Sequence, residues 1–268
     1  MAQQDKAPQP ASKAEKMAAF GRLLDIMDDL RSQCPWDRKQ TMESLRPLTI
    51  EETYELGDAI LDADLPEVSK ELGDIMLHLV FYAKIGEEKE AFDISQVLHG
   101  LCEKLISRHP HIYGDVQAPD EEALKANWEK LKLKEGKKSV LEGVPRSLPA
   151  MVKATRIQDK ARGAGFDWEQ SEQVWDKVTE ELNELRQAHE ERDAVETEKE
   201  LGDVLFSLIN LSRHLEVDPE SALERTNKKF MNRFHYLEGE VRRQEKSLSD
   251  MSLAEMDRYW EEAKRRER

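Results

Sequence analysis

Apolar residues recur along this chain at the spacing of helices. Leu72, Ile75, Met76, Leu79 and Ala83 follow one another at intervals of three and four, which places them on one face of an α-helix. Two similar stripes occur in the second half, at Val174, Val178, Leu182 and Leu185 and at Leu201, Val204, Leu205, Leu208 and Leu211. The pattern predicts packed helices whose apolar stripes form the core, with the adjoining acids at its edge.

Turn signals separate the predicted helices of the first half. We expect a helix from Ala18 to Leu30, ended by the turn Cys34-Pro35-Trp36-Asp37. The next helix should begin near Thr49 and end near Asp64-Leu65-Pro66, because proline disfavours helical backbone in the residue before it.

Two polar segments suggest the domain organisation. Residues 1–16 are polar and contain proline, which predicts a disordered tail. Residues 134–150 are rich in glycine, proline and lysine, which predicts a linker. We therefore expect an all-α protein with tandem helical-bundle units at 17–133 and 151–268.

An acidic pattern occurs twice in the chain. Glu-Glu-x-x-Glu followed by Glu-Leu-Gly-Asp appears in both halves, and each acid of the second copy lies 129 residues after its counterpart. The repeated acids are Glu52, Glu55, Glu71 and Asp74 in the first copy and Glu181, Glu184, Glu200 and Asp203 in the second. A spacing of three puts two acids on one helix face, so two packed helices would direct four carboxylates at one point. Their repulsion predicts a hard divalent cation, Mg²⁺, for which Mn²⁺ can substitute.

Cationic and aromatic residues repeat as well. The members are Lys104, Arg108, Trp128 and Lys132 in the first unit and Lys229, Arg233, Trp260 and Lys264 in the second. Within each unit they form two pairs at i and i+4, each on one helix face. Lysine and arginine suit phosphate oxygens, and tryptophan offers a surface for a base. Together with a metal, these groups predict a site for a nucleoside triphosphate.

Composition excludes several classes of function. The 268 residues are 36% charged and 38% hydrophobic, a balance that favours helices. Two cysteines cannot build a disulfide framework, and no secretion signal opens the chain, so we expect a cytoplasmic protein. No apolar run reaches the length of about 20 residues that spans a bilayer. A net charge of −15 argues against a nucleic acid as partner.

These motifs, in this order, resemble the two-domain MazG nucleoside triphosphate pyrophosphohydrolases. The resemblance rests on CPWDRKQT, EETYELGDAI, KELGDIMLHLVFYA, RHPHIYG, WEKLK, VPRSLPAMVKATRIQ, GFDW, EELNEL, ELGDVLFSLINLSRH, NKKFMNRF and YWEEAKR. It extends from about Leu23 to Arg265. The family implies an all-α NTP pyrophosphatase fold of four-helix type, usually assembled as a dimer, in which the two units could pair within or between chains. It also implies an enzyme that uses Mg²⁺ to split a nucleoside triphosphate into monophosphate and pyrophosphate.

The resemblance also assigns roles to residues. The acids of each copy would be the metal ligands, those of the second copy also being catalytic, and the Lys, Arg and Trp residues would contact the nucleotide. If the base packs near Trp260, we expect the site to accept many different bases, because stacking tolerates any ring. The general base stays open among a hydroxide on the metal, a ligating glutamate and Glu180. Gly57 stands inside the first acidic helix where the second has Arg186, and this helix-weakening glycine favours the C-terminal unit as the faster site.

Two rival functions remain to be weighed. A helical regulatory or assembly protein that binds a nucleotide without hydrolysing it would keep the cations but would not need four acids per unit. A di-iron bundle would need Glu-x-x-His motifs, and Asp74 and Asp203 stand where those histidines would be. The sequence leaves open whether standard or damaged nucleotides are the substrates.

Overall fold

The computed structural model describes residues 10–114 and 139–267. Helices joined by turns make up this part of the chain, and no β-strand occurs in it. The all-α prediction is confirmed. The chain divides into two compact units, Met1–Gln117 and Ala118–Arg268. The predicted boundaries at 133 and 134 lie outside the described residues.

Five helices form the N-terminal unit as far as it is described. They are α1 (Lys13–Gln33), α2 (Met42–Leu61), α3 (Leu65–Glu88), α4 (Ile94–Arg108) and the short α5 (Pro110–Tyr113), with a 3₁₀ turn at Asp37–Lys39. Side-chain caps begin the longer ones: Ser12, Thr41, Asp64 and Asp93 each accept a hydrogen bond from a backbone N–H of the first turn.

Two helices begin earlier than predicted. Helix α1 starts at Lys13, inside the segment expected to be a disordered tail, because Ser12 and Glu15 form a reciprocal capping box. Helix α2 starts at Met42 and continues through Pro47, although a proline inside a helix removes one backbone donor. The turn after α1 and the break before Pro66 lie where they were predicted.

The core of the N-terminal unit joins α1, α2 and α3. Met27, Leu45, Val80, Phe81 and Ile85 are buried together in it. Burying each such side chain stabilises the folded unit by about 1.5–3 kcal/mol relative to leaving it exposed. This packing fixes the position of α2 relative to α3, the two helices that carry the acids.

Five helices also form the described part of the C-terminal unit. They are α6 (Ala150–Gly163), α7 (Ser171–Glu190), α8 (Ala194–His214), α9 (Pro219–Arg243) and α10 (Leu253–Arg266), with a 3₁₀ turn at Leu248–Asp250. Helices α7 and α8 pack against each other, and Val174, Val178 and Leu211 are buried between them. Asp193 caps α8 in the short connection between the two helices.

Part of the predicted core is exposed in the single chain. On α3 the exposed stripe residues are Leu72, Met76 and Leu79, and on α8 they are Leu201, Leu205 and Leu208. Each residue of the second set lies 129 positions after one of the first. The helical spacing was predicted correctly, but these six residues, and Leu182 of the predicted stripe on α7, are not covered within the single chain. The helices of each unit cover only part of its apolar stripe, and the rest of the stripe is exposed.

None of the helices in the described part of the chain combines the length and the apolar content required to cross a membrane.

Candidate metal centre and adjoining cavity

Helices α2 and α3 bring together three of the four acids repeated in the N-terminal unit. Glu52 and Glu55 lie on α2, and Glu71 lies in the second turn of α3. One carboxylate oxygen from each lies within 4.8 Å of the other two. Because only residues 62–64 connect the helices, they pack as a hairpin and their acidic faces meet.

Helices α7 and α8 repeat the arrangement in the C-terminal unit. Oxygens of Glu181, Glu184 and Glu200 lie within 4.8 Å of one another. Glu181 is buried, Glu200 is half-buried and Glu184 is exposed, so the group opens to solvent on one side. This opening suits a metal that must also contact a substrate.

The fourth predicted acid of each unit lies close to these groups but does not join them. Asp74 is near enough to raise the pKa of Glu52, and Asp203 has the same effect on the pKa of Glu200. Their role as direct ligands stays a prediction. A carboxylate beside a three-ligand group can also act through water that belongs to the metal.

The electrostatics of both groups fit a bound cation. Burial, followed by the carboxyl groups of Glu71, Asp74 and Glu55, raises the pKa of Glu52. Burial and the repeated acids of the C-terminal unit likewise raise the pKa of Glu200. In addition, Glu71 is 1% exposed, and its Oε2 atom has no hydrogen-bond partner among the described residues. A buried carboxylate oxygen without a partner is costly, and a hard cation would satisfy it.

Two lysines that the sequence did not single out contact the acids. Lys70 Nζ lies 3.0 Å from Glu71 Oε1. Lys177 Nζ lies 2.8 Å from Glu181 Oε1 and 3.0 Å from Glu180 Oε1. Hydrogen bonds to these neighbours raise the pKa of Lys177, Glu181 contributing most. Each acid group therefore carries an ammonium ion at its edge, positioned to interact with an anionic ligand.

A cavity of about 570 Å³ adjoins the acid group of the C-terminal unit. Its lining comes from α6, α7, α8, the connection between α6 and α7, and Leu141 before α6. Glu181, Asp203 and Lys177 form one part of the wall, and the aromatic rings of Phe166 and Trp168 form another. Ligand pockets of small molecules have volumes of about 300–1,000 Å³. The cavity is large enough for a nucleoside.

An ion pair that sequence reasoning missed lines the same cavity. Arg213 Nη1 donates to Asp167 Oδ2 at 2.8 Å. Burial is the largest single effect on Asp167 and opposes its ionisation, but the hydrogen bond and charge of Arg213, the backbone N–H of Trp168 and the charge of His214 together lower its pKa. The pair joins the connection before α7 to the end of α8. The run Gly-Phe-Asp-Trp contains Asp167, but nothing in its spacing points to a partner 46 residues away.

Two segments of this chain match a family model described as the MazG nucleotide pyrophosphohydrolase domain. The matched residues are 40–113 and 169–237. The chain belongs to the MazG family. Each matched segment of this MazG protein contains one complete set of the repeated acids.

Relatives with similar sequences extend over nearly the whole chain. A protein of Thermotoga maritima named nucleoside triphosphate pyrophosphohydrolase/pyrophosphatase MazG is 45% identical over 250 residues, which cover 91% of this chain and 95% of the relative. The nucleoside triphosphate pyrophosphohydrolase of Escherichia coli K12 is 39% identical over 262 residues, covering 94% and 99%. Among solved structures, a mazG-related protein from Thermotoga maritima covers 42% of this chain and 98% of its own, with 27% identity and a TM-score of 0.38.

In the C-terminal MazG unit, α9 and α10 bring two of the four predicted nucleotide contacts together, Arg233 and Trp260. Arg233 Nε donates to Glu267 Oε2 at 3.0 Å, and the guanidinium carbon lies 5.7 Å from the centre of the Trp260 ring. Trp260 also packs against Phe230, with ring centroids 4.9 Å apart. Helix α9 packs against the acid-bearing α8. The remaining predicted contacts of this unit are Lys229 on α9 and Lys264 on α10, whose Nζ lies 2.6 Å from Glu261 Oε1.

The corresponding set of the N-terminal MazG unit is described only in part. Lys104 and Arg108 lie on α4, which packs against the acid-bearing α3. Trp128 and Lys132 lie outside the described residues. In both units a helix with a Lys and an Arg four positions apart thus adjoins a helix with two of the repeated acids.

Proposed function

We propose that this chain is a nucleoside triphosphate pyrophosphohydrolase that uses Mg²⁺ held by its repeated acids. It converts a nucleoside triphosphate to the monophosphate and pyrophosphate. The observation that carries this proposal is the group Glu181, Glu184 and Glu200 beside a cavity of about 570 Å³. The names of the relatives from Thermotoga maritima and Escherichia coli support the same reaction.

The chain's own residues bind and orient the substrate. Glu181, Glu184 and Glu200, with Asp203 beside them, would hold Mg²⁺, which neutralises phosphate oxygens and helps to orient the attacking water. Lys229 and Arg233 receive the β- and γ-phosphates, where their charges stabilise the departing pyrophosphate. Arg233 exchanges its hydrogen bonds to Glu267 for phosphate oxygens when substrate binds. Lys177 adds a positive charge beside the α-phosphate.

The C-terminal unit is the stronger candidate for the active site. Three of its cavity-lining residues, Lys177, Ser207 and Asn210, correspond by the repeat of 129 residues to Leu48, His78 and Phe81. Phe81 belongs to the buried core, Leu48 packs against that core, and His78 is 7% exposed. Two apolar side chains that form or contact the core, Leu48 and Phe81, thus replace the polar Lys177 and Asn210, and the larger His78 replaces Ser207. This difference supports the preference that Gly57 suggested.

We also propose that two copies of the chain associate through the exposed stripes of α3 and α8. Each stripe has three large apolar side chains that are 41–52% exposed in the single chain. Contiguous apolar surface of this kind marks an interaction site. The two stripes are in the same register within the repeat, so a second copy offers each of them a surface of matching spacing.

The position of bond cleavage tests the proposed reaction. Hydrolysis in ¹⁸O-labelled water with Mg²⁺ is expected to place the label in the nucleoside monophosphate, because attack occurs at the α-phosphorus. Mass spectrometry of the products measures the label. Label in pyrophosphate would indicate attack on the β-phosphorus, and orthophosphate as the first product would indicate attack on the γ-phosphorus. Tight nucleotide binding without any cleavage would instead support the regulatory protein.

A further inference from the structure

The end of α10 supplies a carboxylate to one of the cations that we expect to receive phosphate. Glu267 directly follows the last residue of α10. Arg233 Nε donates to its Oε1 and Oε2 atoms at 3.1 and 3.0 Å, and Arg233 Nη2 donates to Oε2 as well. A guanidinium binds the oxygens of a phosphate through two nitrogens in the same way. A phosphate that binds Nε and Nη2 must therefore displace Glu267.

The surroundings of Arg233 hold this pair in place. The guanidinium carbon lies 5.7 Å from the centre of the Trp260 ring, and Trp260 packs against Phe230. The side chain of Arg233 is 15% exposed, whereas that of Glu267 is 38% exposed. Glu267 is thus the more accessible partner and can move away while Arg233 stays against the ring.

Other cations of the predicted set also interact with carboxylates of this segment. Lys264 Nζ lies 2.6 Å from Glu261 Oε1. The hydrogen bonds from Arg233 lower the pKa of Glu267 most, and the charge of Lys229 lowers this pKa further. Glu267 is consequently ionised at neutral pH and interacts with two cations. An anionic ligand of these cations has to compete with its charge.

We propose that Glu267 competes with phosphate groups for Arg233 and thereby weakens the binding of substrate and pyrophosphate, but not of the nucleoside monophosphate. The inference rests on the proposed function, in which Lys229 and Arg233 receive the β- and γ-phosphates and the α-phosphate lies at the acid group. The monophosphate product does not reach Arg233, so it leaves Glu267 paired. Glu267 is in this sense a specificity-determining residue.

Competition by Glu267 favours release of the product. Pyrophosphate has the charge and the oxygen geometry that suit these cations, and a product that leaves slowly limits turnover. Because Glu267 is attached to α10, its carboxylate stays beside Arg233 at a high effective concentration. It replaces pyrophosphate as the product leaves. The intact substrate is bound through its α-phosphate and nucleoside as well, so the same competition affects a smaller part of its binding.

The affinity for pyrophosphate tests this role. Glu267→Gln keeps the size of the side chain but removes the charge that holds Arg233. Titration calorimetry with Mg²⁺ should show that pyrophosphate binds the variant about fivefold more tightly than wild type, the upper end of the effect of a partly exposed ion pair. Adenosine monophosphate should bind both proteins equally. In hydrolysis of ATP, KM and the inhibition constant of pyrophosphate should both fall, and the inhibition constant of the monophosphate should not change.

Matched variants separate this competition from a general effect of charge. Glu262→Gln makes the same exchange on α10, where the Glu262 carboxylate lies 3.8 Å from Arg266, and should leave the affinity for pyrophosphate unchanged. Glu267→Asp keeps the charge on a shorter side chain and should bind pyrophosphate more weakly than Glu267→Gln does. Circular dichroism verifies that all variants keep the helix content of wild type.

The sign of the change decides between competition and mere positioning of Arg233. If Glu267 only positions the guanidinium for phosphate, Glu267→Gln should bind pyrophosphate less tightly, and this result overturns the proposal. Unchanged affinity, or an equal gain for pyrophosphate and adenosine monophosphate, overturns it too, even if hydrolysis of ATP is normal. If no triphosphate is hydrolysed, the proposed function fails. Tighter binding of pyrophosphate alone by Glu267→Gln would still support the competition.

Discussion

At the scale of single residues, the two copies hold the same acids in different surroundings. Glu71 is almost completely buried and contacts Lys70, whereas its counterpart Glu200 is half-buried. Lys199, the counterpart of Lys70, pairs with Glu196 at 2.7 Å. Glu200 is therefore the more accessible carboxylate of the two. We expect it to contribute more to turnover.

The first residue-scale prediction compares Glu200→Gln with Glu71→Gln. Each exchange keeps the side-chain shape but removes one charge from a metal group. Glu200→Gln should lower kcat by about two orders of magnitude or more, since transition-state charge loses its stabilisation. Glu71→Gln should have a much smaller effect. Pyrophosphate release measures turnover, and circular dichroism verifies folding. Equal losses in the two variants would contradict the assignment of the active site to the C-terminal unit.

The sequence could predict the acids but not the groups around them. Glu52 and Glu55, like Glu181 and Glu184, share a helix, so a spacing of three was enough to place them together. Lys177 also lies one turn before Glu181, but a lysine at this spacing is common on solvated faces. The hydrogen bond from Gln158 to the carbonyl oxygen of Phe206 was beyond prediction, because the two residues are 48 positions apart. Contacts between helices depend on how the helices pack, and the spacing of residues along one helix does not predict them.

At the scale of elements, helices α3 and α8 each have two functional faces. One face supplies Glu71 or Glu200 to the acid group, and the other exposes an apolar stripe. The sequence predicted both helices and both stripes. It could not show which part of a stripe is covered within the chain, because the coverage depends on how many neighbouring helices there are. The exposed part is what we assign to the second copy.

The element-scale prediction concerns the stripe of α8. Leu205→Asp with Leu208→Asp should convert the dimer to monomers, because an interface would have to bury two unpaired charges. Multi-angle light scattering should give twice the chain mass of 31.0 kDa for wild type and the single mass for the variant. Leu253→Asp is the control, since Leu253 is 80% exposed at the start of α10. A wild-type chain that is monomeric at micromolar concentration would contradict the proposed association.

At the scale of the whole molecule, the repeat has kept its acids and changed its cores. Phe81 is 2% exposed in the N-terminal core, whereas Asn210, 129 residues later, lines the cavity. Both units nevertheless hold three carboxylates within 4.8 Å. The acid groups and the cavity are therefore separable features of the two units. We expect both units to bind metal, even if only one performs the reaction.

Thermal melting with and without Mg²⁺ tests this separation. A ligand that binds only the folded state stabilises it by about 2.7 kcal/mol at 100 times its Kd, which raises the melting temperature by several degrees. The double variant Glu71→Gln with Glu200→Gln should lose this shift, and each single variant should keep part of it. The control is Glu90→Gln, which lies in the turn after α3, at the opposite end of that helix from Glu71. A full shift in the double variant would contradict metal binding by the repeated acids.

If Mg²⁺ binds the acid group of the C-terminal unit as proposed, the salt bridge from Lys177 to Glu181 makes that binding an exchange of one cation for another. The arriving ion must displace an ammonium group that lies 2.8 Å from the carboxylate. Ion pairs with partial exposure contribute about 0.2–1 kcal/mol, so the displacement weakens metal affinity by up to about fivefold. The site is therefore half-occupied at a higher free-metal concentration than the same acid group would need without the lysine. Occupancy of the centre then follows changes in free Mg²⁺ over a range in which a tighter site would already be saturated.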